Sequence, residues 1–310
     1  HTYTTIMQGW IELKNMDLLH QFVFSNTPIR GRIVQLTRSY VEAVQYQDLT
    51  VEGLNLLGEA LAAVSLVADS LKFDGSVTLQ AQGQGEISKL VAECHGGHFI
   101  RGLAINNEKV KSSEGESVGI SLISGNQLAI SLLPKSDKHM QPYQGIIELK
   151  REGLAQSLSS YFKSSEQLLT SFVLICSNGK SAGLFLQKLP SNEYKSSLND
   201  DFDDTWNTLN ILAGTVTHEE LTSLPAPEVV RRLFHEHQHR IFEPKEIKFG
   251  CRCSSEKSQD AIILIGYKEA IQIIEEEGTL SVDCSYCNKR YEYDREQITK
   301  IFARKADISH

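Results

Sequence analysis

Apolar residues recur at three- and four-residue steps from Gly53 to Leu71, where Leu54, Leu57, Leu61, Val64 and Ala68 share one helical stripe; this spacing predicts a largely buried helix. Phe73-Asp74-Gly75 ends it, and the period changes to two, with Val77, Leu79 and Ala81 alternating with polar neighbours before Gly83-Gln84-Gly85. The clearest alternation places Val118, Ile120 and Leu122 on one strand and Leu128, Ile130 and Leu132 on the next, so a hairpin is expected around Ser124-Gly125-Asn126-Gln127. Further strands are predicted at Tyr143–Leu149, Ser171–Cys176 and Ala182–Lys188, with a helix from Gly153 to about Lys163. Helices and strands do not alternate regularly. The reading is α+β, with a mixed β-sheet and packed helices, and not a doubly wound parallel sheet.

From Ser191 to about Pro244 the pattern weakens. Asp200, Asp201, Asp203 and Asp204 cluster, Pro225 and Pro227 interrupt the chain, and only short amphipathic pieces remain, Phe202–Leu212 and Glu228–Phe234. Pieces this short cannot bury their apolar residues against one another. Phe202, Trp206, Leu209, Leu233 and Phe234 are therefore expected to dock this helical linker on a neighbouring domain. The predicted organisation is an extension or processed end over 1–15, with Met16 read as a native start, an α+β domain over 16–190, a linker over 191–244 and a small C-terminal module over 245–310.

Composition changes this picture little. The 310 residues are 41% hydrophobic and 23% charged, as in ordinary globular proteins, and the net charge of −8 disfavours general affinity for nucleic acid or anionic membranes. The longest apolar stretches, Leu61–Ala68 and Ala261–Ile265, are far shorter than a span of about 20 residues, so no membrane segment is expected. Six cysteines are too few for a secreted disulfide scaffold, and a reducing, cytoplasmic setting is expected.

Four of those cysteines carry the chemistry. Cys251-Arg252-Cys253 and Cys284-Ser285-Tyr286-Cys287 are two close pairs with 30 residues between them, a spacing that lets four sulfurs surround one tetrahedral Zn²⁺. The apolar content of 245–310 supports a core worth only about 3–5 kcal/mol. Structural zinc is worth roughly 10–16 kcal/mol. One Zn²⁺ per chain is thus expected to hold the module together. Four thiolates are also open to oxidants, and the CxC pair can close into a strained disulfide, so structural and redox readings stand together.

Other patterns are weaker. His235-Glu236-His237-Gln238-His239 satisfies the HExxH expression of zinc proteases, but no helix offering a third ligand follows, and a solvated helix end explains it. Gly83-Gln84-Gly85 and Gly96-Gly97 read as hairpin turns and not as phosphate cradles. Cys94 and Cys176 read as small core residues. A zinc-ribbon nucleic-acid binder needs a basic stripe, yet 245–310 carries 11 Lys or Arg against 12 Asp or Glu. A zinc hydrolase needs an open metal position that four cysteines do not leave, and a thiol oxidoreductase needs an exposed catalytic thiol. No enzymatic activity is expected.

The spacing of the two cysteine pairs, together with Ile29-Arg30-Gly31, Leu71-Lys72-Phe73-Asp74-Gly75, Tyr143-Gln144-Gly145-Ile146-Ile147, Ser165-Glu166-Gln167-Leu168 and Leu233-Phe234-His235-Glu236, resembles the bacterial heat-shock protein 33 family of redox-regulated holdase chaperones. The likeness runs from Met16 to Phe302. It implies that Cys251, Cys253, Cys284 and Cys287 hold Zn²⁺ when reduced. It also implies that oxidation pairs Cys251 with Cys253 and Cys284 with Cys287, ejects zinc and unfolds module and linker. The chaperone then binds unfolding client proteins without ATP, usually as a homodimer. Two departures are visible: the extension before Met16, and Leu169 where family members often carry proline.

Overall fold

A computed structural model describes residues 17–71, 74–110, 119–125, 127–135, 141–190 and 199–308. Packing divides the chain after Gly250 into two compact units. The first contains two six-stranded sheets. One runs in the order β10 (His239–Ile241), β1 (Leu18–Phe24), β2 (Ile29–Leu36), β9 (Lys180–Lys188), β8 (Thr170–Ser177), with β11 (Lys245–Glu246) also on β1. The other runs β12 (Lys248–Phe249), β5 (Phe99–Asn106), β4 (Ile87–His95), β3 (Gly75–Gln82), β6 (Gln127–Pro134), β7 (Tyr143–Glu148). The described pairings are antiparallel apart from β12 on β5, and the mixed sheet expected from the sequence is present.

Helix α2 (Val51–Leu71), preceded by α1 (Arg38–Val44), packs against strands of both sheets. Every residue from Ala60 to Ser70 is buried, so this part of the helix is enclosed on all sides and not along one stripe. Its mean hydropathy of 1.5 over an 18-residue window would also suit a bilayer, so the expectation that no segment has spanning length and apolarity needs correction. Here 72% of that window is buried within the protein. Small residues make the close packing possible: a Cβ on Gly58 would lie 2.3 Å from Cys176 Sγ. Where α2 ends, Asp69 accepts from Arg32 Nε at 2.5 Å, from Gln21 and from Lys245. Burial alone would raise the Asp69 carboxyl, but Lys245 and Arg32 outweigh it and hold the group below the usual carboxylate range.

Glu59, also on α2, is partly buried, and burial pushes its carboxyl up to about 7. Unfolded, such a group titrates near 4.3 or so, so its folded pKa is the higher of the two. Its contribution to stability is complete below the unfolded pKa and is lost as pH rises through about 7. Glu59→Gln is expected to gain about 1–3 kcal/mol at pH 8 and nothing near pH 4, read as urea midpoints across that range.

The predicted hairpin around Ser124 is not formed. Residues Gly119–Ile123 make a single 3₁₀ turn, β6 pairs instead with β3 and β7, and Val118 lies outside the described residues. Leu122 and Ile123 are adjacent and both buried, which a strand with one buried face does not allow. The turn is fixed by glycine: Gly85 N–H donates to Ile123 O at 3.0 Å, and a Cβ on Gly83 would sit 1.8 Å from that oxygen.

The face of β1, β2 and β9 turned away from α2 is covered by three helices, α4 (Asn199–Gly214), α5 (His218–Ser223) and α6 (Ala226–Leu233); α3 (Leu154–Ser164) packs elsewhere, on β8. Alternation on β9 separates the faces: Leu184 and Leu186 meet the three helices, while Phe185 joins the α2 core. Helix α5 starts at a capping box between Thr217 and Glu220, and α6 starts after Pro225. Gln35 Nε2 donates to the carbonyls of Leu221 and Leu224, both at 2.7 Å, so the end of α5 is hydrogen-bonded to β2. Beyond Pro244, β11 and β12 pair with strands of this first unit.

The second unit holds α7 (Ser255–Ile265), α8 (Tyr267–Glu277), the hairpin β13 (Leu280–Asp283) to β14 (Arg290–Tyr293), and α9 (Arg295–Ile308). Its core among the described residues is Ile262, Ala270, Ile274, Leu280, Tyr293, Ile298 and Ile301. Leu264 on α7 is 86% exposed. So small a core supplies little stability by itself.

Candidate metal centre

Two loops of the second unit bring four sulfurs together. Cys251 and Cys253 precede α7, whose first turn is capped by Ser254 Oγ accepting from Lys257 N–H at 3.3 Å. Cys284 and Cys287 occupy the turn between β13 and β14, where Asn288 takes the left-handed conformation at φ 54°. Cys284 N–H donates to Lys289 O at 3.0 Å and Asn288 N–H to Cys284 O at 2.8 Å, so the backbone folds back tightly around the pair. The Asp283–Arg290 ion pair spans the foot of this turn at 2.8 Å.

All four Sγ atoms lie within 4.8 Å of one another. Across the two pairs, Cys251 meets Cys284 at 3.6 Å and Cys253 meets Cys287 at 3.5 Å. A tetrahedron with metal–sulfur bonds of about 2.3 Å has edges of about 3.8 Å, so the donor set fits one metal ion. The thiols are free and partly buried. Burial pushes Cys251 and Cys287 up. For Cys253 burial acts the same way, but hydrogen bonds from Tyr291 and the neighbouring cysteines outweigh it and bring the thiol down to about 7. Four thiolates this close repel one another, and a divalent cation removes that repulsion. Tyr291 on β14 adds a contact that the sequence reading missed: its hydroxyl donates to Cys253 Sγ at 3.2 Å. No sequence spacing signals it, because Tyr291 reaches Cys253 only once the hairpin is folded.

The other sequence candidates separate clearly. Helix α6 ends at Leu233, His235 and Glu236 lie in an exposed turn, and His239 begins β10. The two histidines of the HExxH pattern are therefore not one helical turn apart, and the solvated helix end expected there is a turn beyond the helix. Among the described residues no metal-ligating group other than the four cysteines converges. Cys94 and Cys176 are buried in β4 and β8, where burial raises their thiols to about 12 and about 11. Both are in their unreactive form at neutral pH.

Of the linker residues, Trp206, Leu209 and Phe234 are buried in the cluster between the three helices and the sheet, and Leu233 is partly buried beside them. The side chain of Phe202 lies outside the described residues. Phe234 stands against Phe24 at 5.1 Å, edge to face, and against Phe22 at 6.0 Å. Val229 and Val230, which the sequence reading passed over, are buried in the same layer. The step from Ala226 to Val229, Val230 and Leu233 was their available signal.

The family model described as "Hsp33 protein" matches residues 17–294. The 33 kDa chaperonin of Pseudomonas aeruginosa strain LESB58 is 38% identical over 293 residues, which cover 94% of this chain and 96% of that protein. The 33 kDa chaperonin of Neisseria meningitidis serogroup A is 34% identical over 290 residues, 94% of this chain and 93% of that protein. The crystal structure of the 33 kDa chaperonin (heat shock protein 33 homolog) from Thermotoga maritima superposes with a TM-score of 0.78 at 22% identity. It covers 94% of this chain and 100% of that one, a likeness of fold.

Proposed function

Because the chain belongs to the Hsp33 protein family, we propose that it is a redox-regulated, ATP-independent holdase chaperone that captures unfolding proteins under oxidative stress. The observation that carries this reading is the convergence of four sulfurs within 4.8 Å in a unit whose own apolar core is small. Cys251, Cys253, Cys284 and Cys287 would hold one Zn²⁺ in the reduced protein, since a tetrahedral four-sulfur set suits that ion. When bound, zinc neutralises the thiolates and ties the CxC loop to the β13–β14 hairpin.

The protein's own residues supply the rest of the switch. In the reduced state α4, α5 and α6 cover the sheet surface formed by Phe22, Phe24, Ile29, Ile33, Leu184 and Leu186. Oxidation converts Cys251 with Cys253, and Cys284 with Cys287, into disulfides, and the four-thiolate set disappears. The second unit then loses its main support, and the chain leading into it through β11 and β12 loosens. Functionally the division is a binding core over 16–190, a covering layer over 191–244 and a sensing module from 245 onward. The layer is a two-state element, and the apolar face beneath it receives unfolded clients and favours a homodimer. A reducing, cytoplasmic setting keeps the switch off. No turnover of substrate is part of this reading.

The test compares reduced, zinc-loaded protein with peroxide-treated protein in suppressing the aggregation of a heat-unfolded client. Suppression that appears only after oxidation, and is reversed by reductant with zinc, is expected. Equal activity, or none, in both states overturns the proposal.

A further inference from the structure

Hydrogen bonds to three of the four sulfurs come from different chemical groups. Backbone N–H groups of Cys253 and Lys289 point to the sulfurs of Cys251 and Cys287, whereas Cys253 receives the phenol of Tyr291 at 3.2 Å. Lys289 Nζ lies 5.1 Å from the centre of the Tyr291 ring, a placement that draws electron density from the ring and strengthens its hydroxyl as a donor. The hairpin fixes this geometry. Tyr291 stands opposite Val282 in the β13–β14 register and reaches from the strand that follows Cys287 across to the other cysteine pair.

We propose that Tyr291 is a positioning residue of the redox switch, whose hydroxyl withdraws charge from Cys253 Sγ and makes that sulfur slower to react with an oxidant. This rests on the redox reading above and deepens it. With hydrogen peroxide, the attacking thiolate sulfur forms an S–O bond as the O–O bond breaks. Hydroxide leaves, the sulfur becomes sulfenic acid, and the two electrons it gives up reduce the two peroxide oxygens, one remaining on sulfur and one leaving as hydroxide. The paired thiolate then attacks that sulfur: the S–S bond forms, the S–O bond breaks and a second hydroxide leaves. Each step depends on electron density at sulfur, and the lone pair that accepts the Tyr291 hydrogen bond is the density the first step uses.

Tyr291→Phe keeps the ring and removes the hydrogen bond. In the reduced, zinc-loaded full-length variant, oxidation at Cys253 is expected to speed up about three- to tenfold, the scale of losing part of one charge-assisted hydrogen bond. Timed alkylation with isotopic reagents and peptide mapping reads the share of oxidation at Cys253 against Cys251, Cys284 and Cys287. Cobalt-substituted protein gives a second readout: the thiolate-to-metal charge-transfer band is expected to move to lower energy. A purely structural tie would leave that band in place and change all four rates together, and this result overturns the proposal. So does a Cys253 share equal to that of the wild type in a variant that binds zinc. If the wild-type protein itself keeps its zinc under peroxide, the redox reading fails first, and this inference falls with it.

Discussion

Peroxide with mild heating is expected to release zinc, lower the helical content of residues 251–308 and switch on aggregation suppression, while a variant with serine at Cys251, Cys253, Cys284 and Cys287 no longer responds to oxidant. The expectation follows from magnitudes. Zinc contributes about 10–16 kcal/mol to a module of this kind, whereas a disulfide closing a loop of three or four residues restrains the unfolded chain by at most a few kcal/mol. Oxidation replaces a large stabilising term by a small one. The apolar core of the second unit, seven buried side chains among the described residues, cannot make up the difference. Zinc release followed with a chromogenic chelator, circular dichroism and the client assay should change together. Zinc expelled while helicity and activity stay unchanged would reduce the site to a staple. Chelation of the reduced protein should unfold the same module without any oxidant.

The second large effect concerns the layer formed by α4, α5 and α6. Trp206 and Phe234 are buried in it, and Phe234 closes the aromatic group of Phe22 and Phe24. Replacing a buried Phe or Trp by a small residue costs about 3–5 kcal/mol each. Such a loss is large beside the stability of three short helices held by packing on one sheet face. Trp206→Ser combined with Phe234→Ser is therefore expected to free the layer while the α2 core stays folded. The variant should suppress aggregation in the reduced, zinc-loaded state and bind a hydrophobic dye without oxidant. A reduced double variant that shows neither dye binding nor activity would mean that the layer does not restrain the chaperone.

Legibility in the sequence followed the range of the interactions involved. Helix α2 was readable because its period is local, and so were β3, β7, β8 and β9. The false hairpin at Val118–Leu132 arose because three alternating apolar residues satisfy a strand pattern as well as a buried 3₁₀ turn does. The difference lies in contacts with Gly83 and Gly85, more than 30 residues away in sequence. The HExxH segment, set aside as a metal site and read as a solvated helix end, lies in a turn because the helix stops at Leu233.

The sequence by itself determined the chemistry of this protein. Four cysteines in two close pairs, in a C-terminal segment poor in apolar residues, form a donor set able to hold a metal ion whatever surrounds it. Short amphipathic pieces between acidic residues likewise require a neighbouring surface. Tertiary structure alone decided which surface that is, because strand order brings Phe22, Ile33 and Leu184 onto one face although they are far apart in the chain. It also decided that Tyr291 meets Cys253. Residue types and local spacing are written in the chain, whereas the partner of each residue across a sheet or a hairpin is settled by register, which no local pattern encodes.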